Sequence, residues 1–273
     1  MLKEDFLKAL VAEDVGRGDL FSRISESKEI RAFVIAKSDG VFAGREYIDV
    51  LAKMYDLSLI WEVKDGESFK EGDKLLFVTG DSKYILSLER SILDIALHAS
   101  SIATLTSHYV DAIKETDVKL LDTRKTRPLL RTFEKYAVRC GGGINHRMGL
   151  DDCLMLKDTH LQTIDDLDGF MKEVRQKIPF TSKVEIECES LEMVNKAMKA
   201  GADIVMCDNM SIEETKEVVS YRNENYPHIL LEASGNVTLD TIAEIAKTGV
   251  DAISSGSVIH QANWIDLSMK VEK

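Results

Sequence analysis

The chain has 273 residues, enough for one large or two modest domains at roughly 150 residues apiece. With 44% hydrophobic residues, 30% charged residues and only 3 prolines, it is neither a fibre, a small disulfide scaffold nor a long disordered tract. Its 35 basic and 47 acidic side chains leave a formal charge of -12, which argues against nucleic-acid or anionic-membrane partners unless a local basic patch exists.

The opening segment, MLKEDFLKALVAEDVGRGDLF, carries an amphipathic helical pattern interrupted by acids and lacks the unbroken apolar core of a secretory signal. No stretch approaches the roughly 18 apolar residues of a membrane span, so a cytoplasmic protein is expected. Three short β-rich segments follow, Arg31 to Ala36, Leu57 to Val63 and Leu75 to Thr79, with turns at Asp39-Gly40, Asp65-Gly66 and Gly72-Asp73. They predict a small sheet. The run VKDGESFKEGDKLLFVTGD has the rhythm of a biotinyl or lipoyl carrier turn, but no lysine stands at its tip to take the cofactor.

From Ser82 to about Ile113, Ile85, Leu88, Ile92, Leu93 and Ile95 recur at helical spacing and predict long helices leading into a second domain. Beyond Val118 a unit repeats: an apolar run, a polar residue, then a helical stretch. The runs are VKLLD, CLMLKD, KVEIE, DIVMCD, HILLEAS and DAISSG. Helices are expected over 165–178, 191–200, 212–225 and 239–247, three of them opened by Ser190, Ser211 or Thr238 as N-caps. Six βα units in series imply an incomplete six-stranded parallel α/β barrel over 113–273, behind a smaller N-terminal α+β sheet domain over 1–112. The cysteines, Cys140, Cys153, Cys188 and Cys207, have no zinc spacing and read as reduced thiols, mostly buried.

Chemistry in such a barrel gathers where its strands end. Here those ends offer Asp122, Arg124 and Lys125; Lys157 and Asp158; Glu187; Asp208; Glu232 and Ser234; then Ser254, Ser255 and Gly256. In the third strand the period of two puts Val184, Ile186 and Cys188 on one face and Glu185, Glu187 and Glu189 on the other, toward the barrel interior or its mouth. Carboxylates there need cations nearby. Between Lys119 and Asp158 nine Lys or Arg residues meet five acids, a positive island suited to a small, multiply charged anion. Arg127, Arg131, Lys135 and Arg139 read as a solvated helix face, whereas Arg124, Lys125, His146, Arg147 and Lys157 lie at strand ends or beside the Gly141-Gly142-Gly143 run. Arginine's planar fork suits carboxylates and lysine's point charge suits phosphate. Three consecutive glycines let backbone approach a ligand, although the run occurs as often in a plain loop. Ser234-Gly235-Asn236 and Ser255-Gly256-Ser257 stand where a barrel builds a phosphate cradle.

The stretches DTRKTRPLLRTFEKYAV, GGGINHRMGLDDCLMLKDTH, KVEIECES, GADIVMCDNM and LEASGNVTLDTIAEIAKTGVDAIS, with LERSILDIALHASSIATLTS before them, closely resemble quinolinate phosphoribosyltransferases over nearly the whole chain. The resemblance implies conversion of quinolinate and phosphoribosyl pyrophosphate to nicotinate mononucleotide, pyrophosphate and carbon dioxide in NAD synthesis, with magnesium. It implies a clamp of Arg124, His146 and Arg147 on the two carboxylates of quinolinate, joined by Arg90 from a partner chain. Lys125 and Lys157 match phosphate and pyrophosphate ligands; Glu187 and Asp208 match carboxylates that hold ribose hydroxyls or magnesium; Ser234, Gly235, Asn236, Ser255 and Gly256 match the 5'-phosphate cradle. A homodimer with shared sites follows from the same resemblance, and so does a hexamer built as a trimer of dimers. Family members often have threonine where Arg127 stands. Three competing readings stay open on the residues alone: a Schiff-base aldolase using Lys157, a molybdenum-transport-type paralogue acting on another base or nucleotide, and a non-enzymatic pyridine-nucleotide sensor.

Overall fold

A computed structural model of the chain describes residues 3–272, which form two compact units. The first comprises the chain up to Ser107, Arg127–Gly142 and the chain from Gln261 onward; the second comprises His108–Thr126 and Gly143–His260. The division expected at residue 112 differs from these units at three segments, 108–112, 127–142 and 261–273. The last two differences have physical causes in the first unit.

That unit begins with helices α1 (Lys3–Val15) and α2 (Leu20–Ile24), then β1 (Glu29–Ala36), β2 (Gly40–Val41), α3 (Arg45–Met54), β3 (Ser58–Trp61), β4 (Ser68–Phe69) and β5 (Lys74–Asp81). The long helix α4 (Ser82–Ala112) follows and runs on into the second unit. β1 alternates as half-buried sequence should, burying Ala32, Val34 and Ala36 on one face. Its two neighbours are β5 and, from the far end of the chain, β12 (Leu267–Val271), giving an antiparallel sheet of order β12-β1-β5-β3. Register pairs from Ala32 with Val271 to Ala36 with Leu267 tie the C-terminal segment here. The segment 127–142 joins the same unit through α5 (Arg131–Cys140), whose Phe133 and Tyr136 pack on Tyr47 with ring centroids 4.9 and 5.2 Å away. Each such buried ring contributes roughly 1.5–3 kcal/mol of apolar burial. α5 is therefore not a solvated basic face. Lys135 is completely buried, Arg127 lies ahead of the helix and pairs with Glu134, and Arg139 alone of the four is exposed. The glycine run is explained in part by this packing, because a Cβ on Gly141 would stand 2.4 Å from the Ala103 carbonyl of α4.

The second unit alternates strand and helix: β6 (Lys119–Leu121), β7 (Leu154–Leu156), α6 (Asp158–Leu161), α7 (Leu167–Lys177), β8 (Val184–Cys188), α8 (Leu191–Lys199), β9 (Ile204–Asp208), α9 (Ile212–Asn225), β10 (Leu230–Ser234), α10 (Leu239–Ala246), β11 (Ala252–Ser254) and α11 (Ser257–His260). Its six strands form one parallel sheet of order β6-β11-β10-β9-β8-β7. Strand β6 thus returns beside the last strand, the order of a barrel, while no ladder joins β6 to β7 among the described residues. The barrel is incomplete at that gap. Ile144 enters it, bridging in parallel to Leu121. Val184, Ile186 and Cys188 are buried on the face toward the helices, and Ser190, Ser211 and Thr238 stand at the N-caps of α8, α9 and α10. In α9 the cap is reciprocal: Ser211 Oγ accepts from the Glu214 amide and Glu214 Oε2 accepts from the Ser211 amide at 2.9 Å.

Candidate active site

The C-terminal strand ends of the second unit surround a cavity of about 420 Å³. At the end of β6 the completely buried Asp122 accepts hydrogen bonds from Asn145 Nδ2 at 2.6 Å and from the His146 amide at 2.8 Å. Together with the Ile144 bridge, this draws the segment 144–147 against β6 and puts His146 and Arg147 in the cavity wall beside Arg124 and Lys125. Lys157 follows β7, Glu187 is in β8, Asp208 ends β9 and Ser234 ends β10, with Gly235 and Asn236 beyond it. All of these expected residues line one cavity.

Four basic side chains, Arg124, Lys125, Arg147 and Lys157, thus share walls with Glu187 and Asp208. Lys157 Nζ pairs with Glu187, and Asp208 Oδ2 accepts from Asn209 Nδ2 at 3.0 Å. Arg147 is 7% exposed and steadied by donation to the Cys153 carbonyl at 2.9 Å, a rigid setting for a guanidinium in the cavity wall. The turn at Gly235 and Asn236 is built from backbone that favours small residues. Gly235 has φ 93° and Asn236 φ 48°, and a Cβ on Gly235 would stand 2.3 Å from Asn209 Oδ1. Ser254 Oγ donates to Ser234 Oγ at 3.1 Å, joining two strand ends under that turn.

Ser255 and Gly256 are placed differently. Ser254 lines the cavity, whereas Ser255 is 4% exposed, with Oγ donating to the Val237 carbonyl at 3.3 Å and accepting from the Ser257 amide at 3.2 Å. Gly256 lies against the Lys125 and His260 side chains. None of Gly141, Gly142 and Gly143 lines the cavity. Arg90, on α4 in the first unit, is half-exposed and reaches Asp94 at 3.4 Å.

Sequence reasoning sent Glu185 toward the barrel interior and named His146 and Glu232 separately; the structure gathers the three into one buried cluster. His146 Nε2 lies 3.1 Å from Glu232 Oε2 and 3.2 Å from Glu185 Oε2. Burial opposes charge on the imidazole, but the two glutamates outweigh it and push its pKa up to about 10. Burial likewise raises the Glu185 carboxyl. His146 Nδ1, however, accepts the Arg147 amide at 2.7 Å and so carries a lone pair in this conformation. The glutamates and the Arg147 amide therefore pull the ring in opposite senses, the first favouring a second ring proton and the second the Nε2–H form. The signal for Glu185 was its shared face with Glu187, and for Glu232 its shared face with Ser234.

Residues 19–100 match the family model for the quinolinate phosphoribosyl transferase N-terminal domain, and residues 102–270 match the C-terminal domain of the same family. A probable carboxylating nicotinate-nucleotide pyrophosphorylase of Synechocystis is 37% identical over 271 residues, covering 98% of this chain and 92% of that one. One from Bacillus subtilis is 37% identical over 262 residues, covering 95% and 90%. Among solved structures, the nicotinate-nucleotide pyrophosphorylase of Francisella tularensis superposes with a TM-score of 0.93 at 33% identity, over 100% of this chain and 98% of that one. Two domains matched in order, and likeness along nearly the full length of these relatives, place the chain in the quinolinate phosphoribosyl transferase family.

Proposed function

We propose that the chain transfers the phosphoribosyl group of phosphoribosyl pyrophosphate to quinolinate, yielding nicotinate mononucleotide, pyrophosphate and carbon dioxide for NAD synthesis. The observation that carries this reading is the convergence of Arg124, Lys125, Arg147 and Lys157 with a serine-glycine turn on one cavity in a chain of net charge -12. Two substrates bearing many negative charges account for that concentration; a single neutral ligand does not. The curated relatives described above are carboxylating pyrophosphorylases, which favours this reading over a molybdenum-transport paralogue. Lys157 is ion-paired with Glu187 and not set in the apolar pocket of a Schiff-base lysine, which disfavours the aldolase.

In the mechanism, Arg124 and Arg147 hold the dicarboxylate so that the pyridine nitrogen faces the anomeric carbon of the ribose. The nitrogen lone pair forms the new C–N bond as the bond from that carbon to the pyrophosphate oxygen breaks. Lys125 and Lys157 offset negative charge growing on pyrophosphate, while Glu187 and Asp208 face the sugar as it becomes cationic. The resulting pyridinium accepts the electron pair left when the 2-carboxylate departs as carbon dioxide, and that carbon then takes a proton. Glu187 and Asp208 are hard oxygen donors of the type magnesium takes one or two of alongside substrate phosphates, so they suit a magnesium ion arriving with phosphoribosyl pyrophosphate. That ion would supply further charge stabilisation for the leaving group. Arg90 completes the clamp from a neighbouring subunit in this reading, as the family resemblance implies. Carboxyl-labelled quinolinate tests the order of events: labelled carbon dioxide should appear only with phosphoribosyl pyrophosphate and magnesium present. Release from quinolinate alone contradicts it.

A further inference from the structure

Both ring nitrogens of His146 are engaged, Nε2 by the glutamates and Nδ1 by the Arg147 amide. A nitrogen that accepts an N–H has its lone pair in use, so the ring proton sits on Nε2 between Glu185 and Glu232. These three groups cluster closely enough to suggest a metal site, but a metal would need the Nε2 lone pair, and a metal-bound histidine donates its other N–H outward. Here an N–H points inward instead. The cluster suits a hydrogen-bonded ring better than an ion.

The two carboxylates are costly where they lie. Glu185 and Glu232 are 0% and 2% exposed, and Oε1 of each accepts no hydrogen bond. An apolar pair would pack the barrel interior more cheaply, and the group both glutamates face is His146. We propose that Glu185 and Glu232 are positioning residues for quinolinate: they bracket Nε2, stop the imidazole from swinging, and keep the 146–147 backbone where Arg147 reaches the cavity. Asp122 supports the same backbone from β6 through the His146 amide. With both nitrogens engaged, the carboxylate contacts of a bound quinolinate pass to the arginines. This assignment rests on the quinolinate reading, so the wild-type enzyme is assayed first; if it does not use quinolinate, that reading fails before any variant is made.

In an enzyme that does use quinolinate, Glu232→Ala should raise the KM for quinolinate about tenfold while leaving the KM for phosphoribosyl pyrophosphate within about twofold. Glu232→Gln retains an acceptor for Nε2–H and should recover most of that loss. Equal rises in both KM values, or a Gln variant as impaired as Ala, would overturn the proposal, the first pointing to the barrel and the second to charge. Should the Ala variant not fold, nitrogen-15 spectra of the wild-type His146 ring decide the matter. The Nε2–H tautomer should persist when quinolinate is added, and a proton appearing on Nδ1 in the complex would refute the bracket.

Discussion

Lys157 stands immediately after β7, partly exposed and ion-paired with Glu187 in the cavity wall. A point charge so placed matters most as the pyrophosphate charge develops, so Lys157→Ala should lower kcat by about a hundredfold or more while quinolinate affinity, measured by direct titration, changes only a few-fold. Near-normal turnover would reduce Lys157 to a residue that merely ends a strand. Positions of this kind were legible because each strand end has its own motif. The offset between Ser254 and Ser255 was not, since successive strand residues face opposite sides and the motif does not mark which serine faces in. Nor was the engagement of His146, which depends on Asp122, 24 residues earlier in the chain, and on the amide of the next residue.

At the scale of elements, the six parallel strands and the four helices over 165–247 were legible because apolar runs and N-caps alternate regularly. Strand β12 was not, being short, only partly buried and paired with a strand more than two hundred residues away. Helix α5 was misjudged for a related reason. Its charges suggest solvent, yet Glu134 is completely buried and receives the Arg127 guanidinium at 2.6 Å, the Arg127 amide at 2.9 Å and the His98 ring at 3.0 Å. Burial alone would raise the Glu134 carboxyl, but these partners outweigh it and hold it below its ordinary value of 4.5. A lowered folded-state pKa gives stability that is present above about 4.5 and lost as pH falls through the folded value. Acid unfolding of the wild type should therefore steepen below about pH 4.5, and Glu134→Gln should flatten that arm while lowering stability at neutral pH. Identical acid arms in the two proteins would show that this cluster does not hold α5 in place.

At the scale of the whole molecule, the proposed clamp draws Arg90 from a second chain, since the family resemblance sends this arginine into a neighbour's site. Arg90→Ala and Lys157→Ala should each be nearly inactive, yet unfolded together and reassembled at random they should recover roughly a quarter of wild-type activity, since half the dimers are mixed and each holds one intact site. Mixed dimers that form and stay inactive would confine Arg90 to its own chain. The central claim, that this cavity accepts a pyridine dicarboxylate and ribosylates it, is tested most directly by assaying quinolinate against nicotinate, each with phosphoribosyl pyrophosphate and magnesium, and measuring nucleotide formed. Arg124 and Arg147, with Arg90 from the partner, supply more positive charge than one carboxylate requires, so quinolinate should react and nicotinate should not. Equal use of nicotinate would contradict the substrate assignment.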